Sequence, residues 1–330
     1  MTRSPALCGR YADLPQLDDA WARLARTYGG REITIGTSAN GRPLRRYDFG
    51  NPLGPTFLLT SLMHGVEVIG GLALLDAVRS ILASGRAGVA ARARLVVVPV
   101  VNPDAFADNL ERLRGERRAS QRCNARGVDL NRNFAPLSSS RPLHPFAGSR
   151  LRWSPHYTGP HAFSEPESRA LRDVALETRP ALAIGFHSCG NFLLYPWAHT
   201  DVPNPREPLY RALGDAFCQA LPRERYEVRQ AAHWYPTVGD MDDWLDANLG
   251  TLAFTVEVSR PARSFRDIRR LLNPFWWLNP READEAIANV VPGVGALLCD
   301  ALDRGVGGAP SRAAPPIDAP PVELFADAAE

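Results

Sequence analysis

A chain of 330 residues, 45% hydrophobic and 22% charged, is long enough to bury one large core or two small ones. Its net charge is +2 and its cations are all arginine, with no lysine in the sequence; such a near balance excludes the strongly basic field of a nucleic-acid or membrane-surface protein. Five cysteines, Cys8, Cys123, Cys189, Cys218 and Cys299, are scattered without any CxxC spacing, which argues against a disulfide framework and a cysteine metal site.

The first 21 residues lack the apolar stretch of a secretory signal, and no run reaches the ~18 consecutive apolar residues of a membrane span, so a soluble, cytoplasmic protein is expected. Leu14, Leu17, Trp21 and Leu24 recur at helical spacing up to Gly29-Gly30 and predict an amphipathic helix within residues 1–30. EITIGTSANGRPLRRYDFG predicts a hairpin around Asn40-Gly41, and TFLLTSL a strand covered on both faces. VIGGLALLDAVRSILA reads as a helix leading into the strand ARLVVVPVV. SEPESRALRDVALE reads as a helix capped by Ser164, followed by the strand ALAIGF. TLAFTVEVS is a further strand, and READEAIANVV opens a late helix. The alternation predicts one α/β domain over residues 1–303, three layers deep, with a central mixed sheet covered by helices on both faces. From 304 to 330 the chain is dense in glycine, proline and alanine and is expected to be a flexible tail.

Polar side chains that break this apolar pattern fall at the ends of predicted strands, where ligand sites of open α/β sheets form. His64 and Glu67 follow TFLLTSL, His187 and Ser188 follow ALAIGF, and Glu257 sits inside TLAFTVEVS. Two histidines and one carboxylate with an open fourth position is the pattern of a catalytic zinc. The HxxE pair alone is a weak signal, since a histidine hydrogen-bonded in a core gives the same two letters. RCNARGVDLNRNF, residues 122–134, strengthens it, because a segment that only packs has little use for Arg122, Asn124, Asp129, Asn131, Arg132 and Asn133 together.

With these segments the chain resembles the zinc metallocarboxypeptidases of the carboxypeptidase A and B type. HGVE resembles their first metal motif, VVNPDAF their NPDG segment, RCNARGVDLNRNF their arginine and DxNRN block, HSCGNFLLYPW their HSxxxxLLYPY strand and FTVEV their FTxE strand, all in the family's order. The resemblance implies one zinc ion per chain on His64, Glu67 and His187, with Glu257 as general base and acid. It implies that Arg122 polarises the scissile carbonyl and that Asn131 and Arg132 hold a peptide substrate's free C-terminal carboxylate. Asp129 would accept from the His64 nitrogen facing away from the metal, and Tyr235 would match the family's mobile tyrosine. Asp242 would fall where B-type enzymes carry the pocket aspartate that favours a cationic C-terminal residue, with Asp243 the alternative if the register slips by one.

Three departures are visible. Cys189 stands in place of a tyrosine, Ala105 in place of the NPDG glycine, and Ser259-Arg260 in place of the usual residues after the catalytic glutamate. The lack of a propeptide before the catalytic region fits an intracellular enzyme. Competing readings are a murein peptide amidase releasing diaminopimelate, an acyl-amino-acid deacylase of the succinylglutamate desuccinylase or aspartoacylase type, and a catalytically dead binding module. His144, His156, His161, His199 and His233 have no ligand-like spacing, and Phe275, Trp276 and Trp277 are expected to pack beneath the last helix. No sequence feature addresses the oligomeric state.

Overall fold

The computed structural model describes residues 11–85, 88–138, 143–262 and 268–307. Helix α1 (Leu14–Tyr28) starts in a capping box between Asp13 and Gln16, ends on a left-handed Gly29 and buries Leu17, Trp21 and Leu24. Strands β1 (Arg31–Thr37) and β2 (Pro43–Gly50) form the hairpin around Asn40-Gly41. Then come β3 (Thr56–Ser61), α2 (Val68–Ala83), the short α3 (Val89–Arg92), β4 (Arg94–Val98) and α4 (Pro103–Arg114). After a long connection follow α5 (Pro166–Thr178), β5 (Leu182–His187), β6 (Phe192–Tyr195), α6 (Glu207–Gln219) and β7 (Glu227–Gln230). The chain continues through α7 (Met241–Leu249), β8 (Leu252–Glu257), α8 (Ile268–Leu271), α9 (Phe275–Leu278) and α10 (Ala283–Asp303).

The strands make one mixed sheet in the order β1-β2-β4-β3-β5-β8-β6-β7. Its centre, β4-β3-β5-β8, is parallel, while β2 joins β4 and β6 joins β8 antiparallel. Period-2 alternation divides the core. Phe57, Leu59, Leu95, Val97, Leu182, Ile184 and Phe254 face α1, α2, α4, α6 and α10, whereas Leu58, Val96, Ala183 and Ala253 face α5 and α7. The three-layer α/β/α arrangement read from the sequence is therefore the one observed. By length and composition α10 could cross a membrane, but Ile287, Val290, Val294, Leu297 and Leu298 are buried and the helix packs on α2 and α6. Most of the predicted tail, residues 308–330, lies outside the described residues.

Two local expectations are corrected. Ser164 does not cap α5: Glu165 occupies the N-cap position without a side-chain cap bond, and the Ser164 hydroxyl donates to Glu165 Oε1 at 2.8 Å. The aromatic run also divides, with Phe275 in the core and Trp277 lining a cleft at the end of the parallel strands. That cleft is where the sheet's topology converges. Because β3, β5 and β8 run parallel and in register, their C-terminal ends share one edge, with His187 paired directly to Glu257.

Candidate active site

His64 and Glu67 lie in the connection from β3 to α2, which two asparagines hold in place. Asn102, the N-cap of α4, accepts from Ala105 N and donates to the carbonyls of Met63 and Arg122. Asn279, wholly buried, accepts from Ile69 N and donates to Val66 O, so it grips the chain on both sides of Glu67. Gly65 presses against the first turn of α4; a Cβ there would come within 2.4 Å of Ala105 Cβ. The methyl of Ala105, where the related motif has glycine, fits because its neighbour has none. His187 ends β5, and Gly70 lets the start of α2 approach Phe186 O, which a Cβ would meet at 2.9 Å.

These elements bring three donors together. His64 Nδ1 lies 2.9 Å from Glu67 Oε1, His187 Nδ1 lies 2.9 Å from Glu67 Oε2, and the two Nδ1 atoms are 3.1 Å apart. All three side chains are buried. The other nitrogen of His64, Nε2, is 3.0 Å from Asp129 Oδ1, so its proton is assigned there and Nδ1 keeps its lone pair for a metal. Burial alone would raise the Glu67 carboxyl, but the rings of His64 and His187 beside it hold it well below the usual carboxylate range.

Asp129, completely buried, is the counterweight. Its Oδ1 also accepts from Asn131 N at 3.0 Å, and its Oδ2 from Arg122 Nε at 3.0 Å, with His156 Nδ1 3.4 Å away. Burial opposes its charge, yet Arg122, His64 and Arg132 keep the carboxyl far below its ordinary value. Arg122 also donates to Glu67 Oε1 at 3.2 Å and so connects Asp129 with the donor cluster. Glu257 differs from both. Its Oε2 is buried without a hydrogen-bond partner, and burial together with the charge of Glu67 pushes its carboxyl well up, against the pull of Arg122 and Arg132.

The donor cluster opens on a cleft of about 410 Å³ that the residues read as metal- or substrate-facing line, whereas Asn124, Asp129 and Asn133 of the RCNARGVDLNRNF segment are buried away from it. Arg132 donates to Phe146 O and Asn131 O and has no acidic partner among the described residues, although it is buried. Asn131 Oδ1 accepts from Met241 N at the start of α7, which leaves its amide nitrogen to the cleft. Tyr235 is stacked on His144 at 5.7 Å and meets Phe146 edge-on, near enough to Arg132 and Arg122 to feel their charge. Asp242 Oδ2 accepts from Thr255 at 2.7 Å while its Oδ1 is buried and unpartnered. Asp243 is committed elsewhere: it accepts from Ala198 N and His199 N and pairs with the His199 ring. Of the two neighbouring aspartates, Asp242 is therefore the one with an uncommitted oxygen on the cleft.

Among the cleft residues the sequence did not point to are His156, which arrives through the isolated pairing of Ser149 with Tyr157, and Trp277, which comes from α9. Neither carries a spacing signal, because each reaches the cleft through tertiary folding. Ser188, which the sequence places beside His187, has a buried hydroxyl without a partner.

Zinc fits the donor set. Two ligands held at about 2.1 Å by one tetrahedral zinc sit roughly 3.4 Å apart, close to the separations seen here. Two imidazoles and one carboxylate suit zinc better than the all-oxygen sets of magnesium or calcium.

Comparison with known proteins agrees. A family model described as zinc carboxypeptidase matches residues 18–278. Carboxypeptidase B of Helicoverpa zea is 38% identical over 114 residues, covering 32% of this chain and 25% of that protein. Carboxypeptidase B of Astacus astacus is 32% identical over 175 residues, covering 49% of this chain and 55% of that protein. The chain thus spans between a quarter and about half of the length of these relatives. Among solved structures, carboxypeptidase A from Helicoverpa armigera superposes with a TM-score of 0.70 at 23% identity, over 88% of this chain and 75% of that one, a likeness of fold.

Because Asp129 fixes the His64 tautomer and ring direction, Asp129→Ala is expected to weaken zinc binding about 10- to 100-fold. Competition with a chelator of known affinity measures this, and circular dichroism checks that the fold persists. An unchanged zinc affinity would show that Asp129 does not govern the centre.

Proposed function

The chain belongs to the zinc carboxypeptidase family, and we propose that it hydrolyses the C-terminal amide bond of peptides, with zinc held by His64, Glu67 and His187. The observation that carries this reading is Arg132, a buried guanidinium without an acidic partner in the same cleft as the three donors and the unpartnered Oε2 of Glu257. A buried cation of this kind calls for an anion from outside, and a peptide's terminal carboxylate supplies one in the bidentate geometry that arginine favours.

Zinc supplies a Lewis acid that polarises the scissile carbonyl and acidifies water. Side chains do the rest. Arg132 and the amide of Asn131 hold the terminal carboxylate, and Tyr235 covers it from its stacked position against His144. Arg122, oriented by Asp129, stabilises the negative charge that develops on the carbonyl oxygen. Glu257 takes the proton of the attacking water on its free oxygen and returns it to the leaving amine. Cys123, Cys218 and Cys299 carry free thiols, which supports a cytoplasmic setting.

The zinc-loaded protein should release C-terminal residues from free-acid peptides and leave C-terminally amidated ones intact. Glu257→Gln should lose more than ~99% of turnover while retaining stoichiometric zinc. A variant that keeps more than that residual rate would show the base to be wrongly assigned.

The preferred C-terminal residue follows from Asp242. A carboxylate with an unpartnered oxygen in a partly dry pocket favours a cationic partner, so lysine or arginine, or the amino end of diaminopimelate, is proposed. Burial foremost, then the charge of Asp240, lifts the Asp242 carboxyl to about 8, against the Thr255 hydrogen bond that lowers it. The group is therefore protonated below that pH and charged above it. Since kcat/KM reports groups of the free enzyme, the kcat/KM ratio of C-terminal arginine over phenylalanine should rise as pH increases through about 8, and Asp242→Asn should flatten the rise. Comparison of arginine, diaminopimelate and phenylalanine peptides from pH 6 to 10 decides it; a ratio that is flat in the parent, or that still rises in the variant, would remove Asp242 from the pocket.

A further inference from the structure

Beside the substrate cleft lies a second cavity of about 490 Å³, within the size range of small-molecule sites. Arg132, Arg150 and His161 line it together with Tyr157 and Thr158, and no acidic side chain does. This one-sided charge is written in the sequence. From Leu130 to Ser164 there is no aspartate or glutamate in a chain that has 36 of them, while the same stretch carries four arginines and three histidines.

Among the described residues neither Arg132 nor Arg150 has an acidic partner, and Arg132 is buried. His161 Nδ1 lies 2.9 Å from Ala162 O, which assigns the ring proton to that side and leaves Nε2 uncommitted. Two stretches of chain partition this cavity from the cleft. His156 and Thr237 line the cleft, their neighbours Tyr157 and Val238 line the second cavity, and Arg132 borders both.

We propose that the second cavity binds a small oxyanion, of the phosphate or polycarboxylate class, and that its occupancy weakens capture of the substrate's terminal carboxylate at Arg132. Guanidinium groups present planar, forked donors that match such oxyanions, and a negative charge settled beside Arg132 offsets the positive charge the substrate needs. The binding half of this proposal is independent of the enzyme's activity, and the kinetic half rests on the role given above to Arg132.

Calorimetric titration of inorganic phosphate and of citrate into the zinc-loaded protein and its Arg150→Ala variant tests the binding. Removing Arg150 should weaken anion affinity about 10- to 100-fold, as expected for losing a charge-assisted hydrogen-bond donor. Binding of phosphate but not citrate assigns the phosphoryl class, and the converse assigns the carboxylate class. In parallel, the anion should raise KM for a C-terminal arginine peptide without lowering kcat, and the rise relative to each protein's own anion-free value should be much smaller in Arg150→Ala. Anions that compete only within the cleft would raise KM equally in both proteins. That result, or the absence of anion binding to the parent, overturns the site; Arg150-dependent binding with no change in KM overturns the coupling through Arg132 and leaves the peptidase reading standing.

Discussion

One buried anion organises this active site. The carboxylate of Asp129 is completely enclosed, and it faces the imidazole of His64, the guanidinium of Arg122, the ring of His156 and the backbone N–H of Asn131. A carboxylate removed from water is costly unless its lone pairs are satisfied, so the segment that carries it must fold against the metal-binding loop and nowhere else. Its neighbours make that folding possible. Asn124 Oδ1 accepts from the backbone of Arg126 and Val128, and Asn133 donates to Thr158 O, His161 O and the Ser164 hydroxyl while its oxygen accepts from Glu165 N and Ser168. Much of the polar density in RCNARGVDLNRNF therefore holds a buried loop together, and the remainder, Arg122, Asn131 and Arg132, lines the cleft.

This division explains what was legible in the sequence. His64, Glu67, His187 and Glu257 stood out because each interrupts or ends an apolar strand, and the parallel pairing of β3, β5 and β8 turns that linear regularity into a shared edge. Long amphipathic and apolar runs gave α1, α2 and α10 for the same reason. Helices α4, α6 and α7 begin in proline- or aspartate-rich turns and were not assigned from the sequence, although α4 buries Phe106 and Leu110, and α6 Tyr210, Leu213 and Phe217, at helical spacing. Asn279 was unreadable as a support of Glu67, since its partners Val66 and Ile69 lie more than two hundred residues earlier. His156 and Trp277 were unreadable as cleft walls because a loop and the short helix α9 place them there.

The departures from the family's motifs are local adjustments around an intact centre. Ala105 is matched by the bare Cα of Gly65, so the α4 turn still supports the metal loop. Cys189 puts a small thiol on the cleft wall, with its Sγ 3.7 Å from Trp277 O, and Trp277 supplies aromatic surface on the same wall. In the same cleft, Asp242 rather than Asp243 has an uncommitted oxygen, because Asp243 is consumed by the backbone of Ala198 and His199. Aromatic rings, a carboxylate with one uncommitted oxygen and a guanidinium without an acidic partner thus divide the cleft into regions of different chemistry.

Everything in this site turns on whether His64, Glu67 and His187 together hold a single zinc ion. X-ray absorption at the zinc K-edge on protein purified without added metal is the decisive measurement. One zinc per chain is expected, with a shell of nitrogen and oxygen at about 2.0–2.2 Å, imidazole scattering from two rings and no sulfur ligand. A sulfur shell at about 2.3 Å, scattering from fewer than two imidazoles, or a protein that takes up no zinc would contradict it.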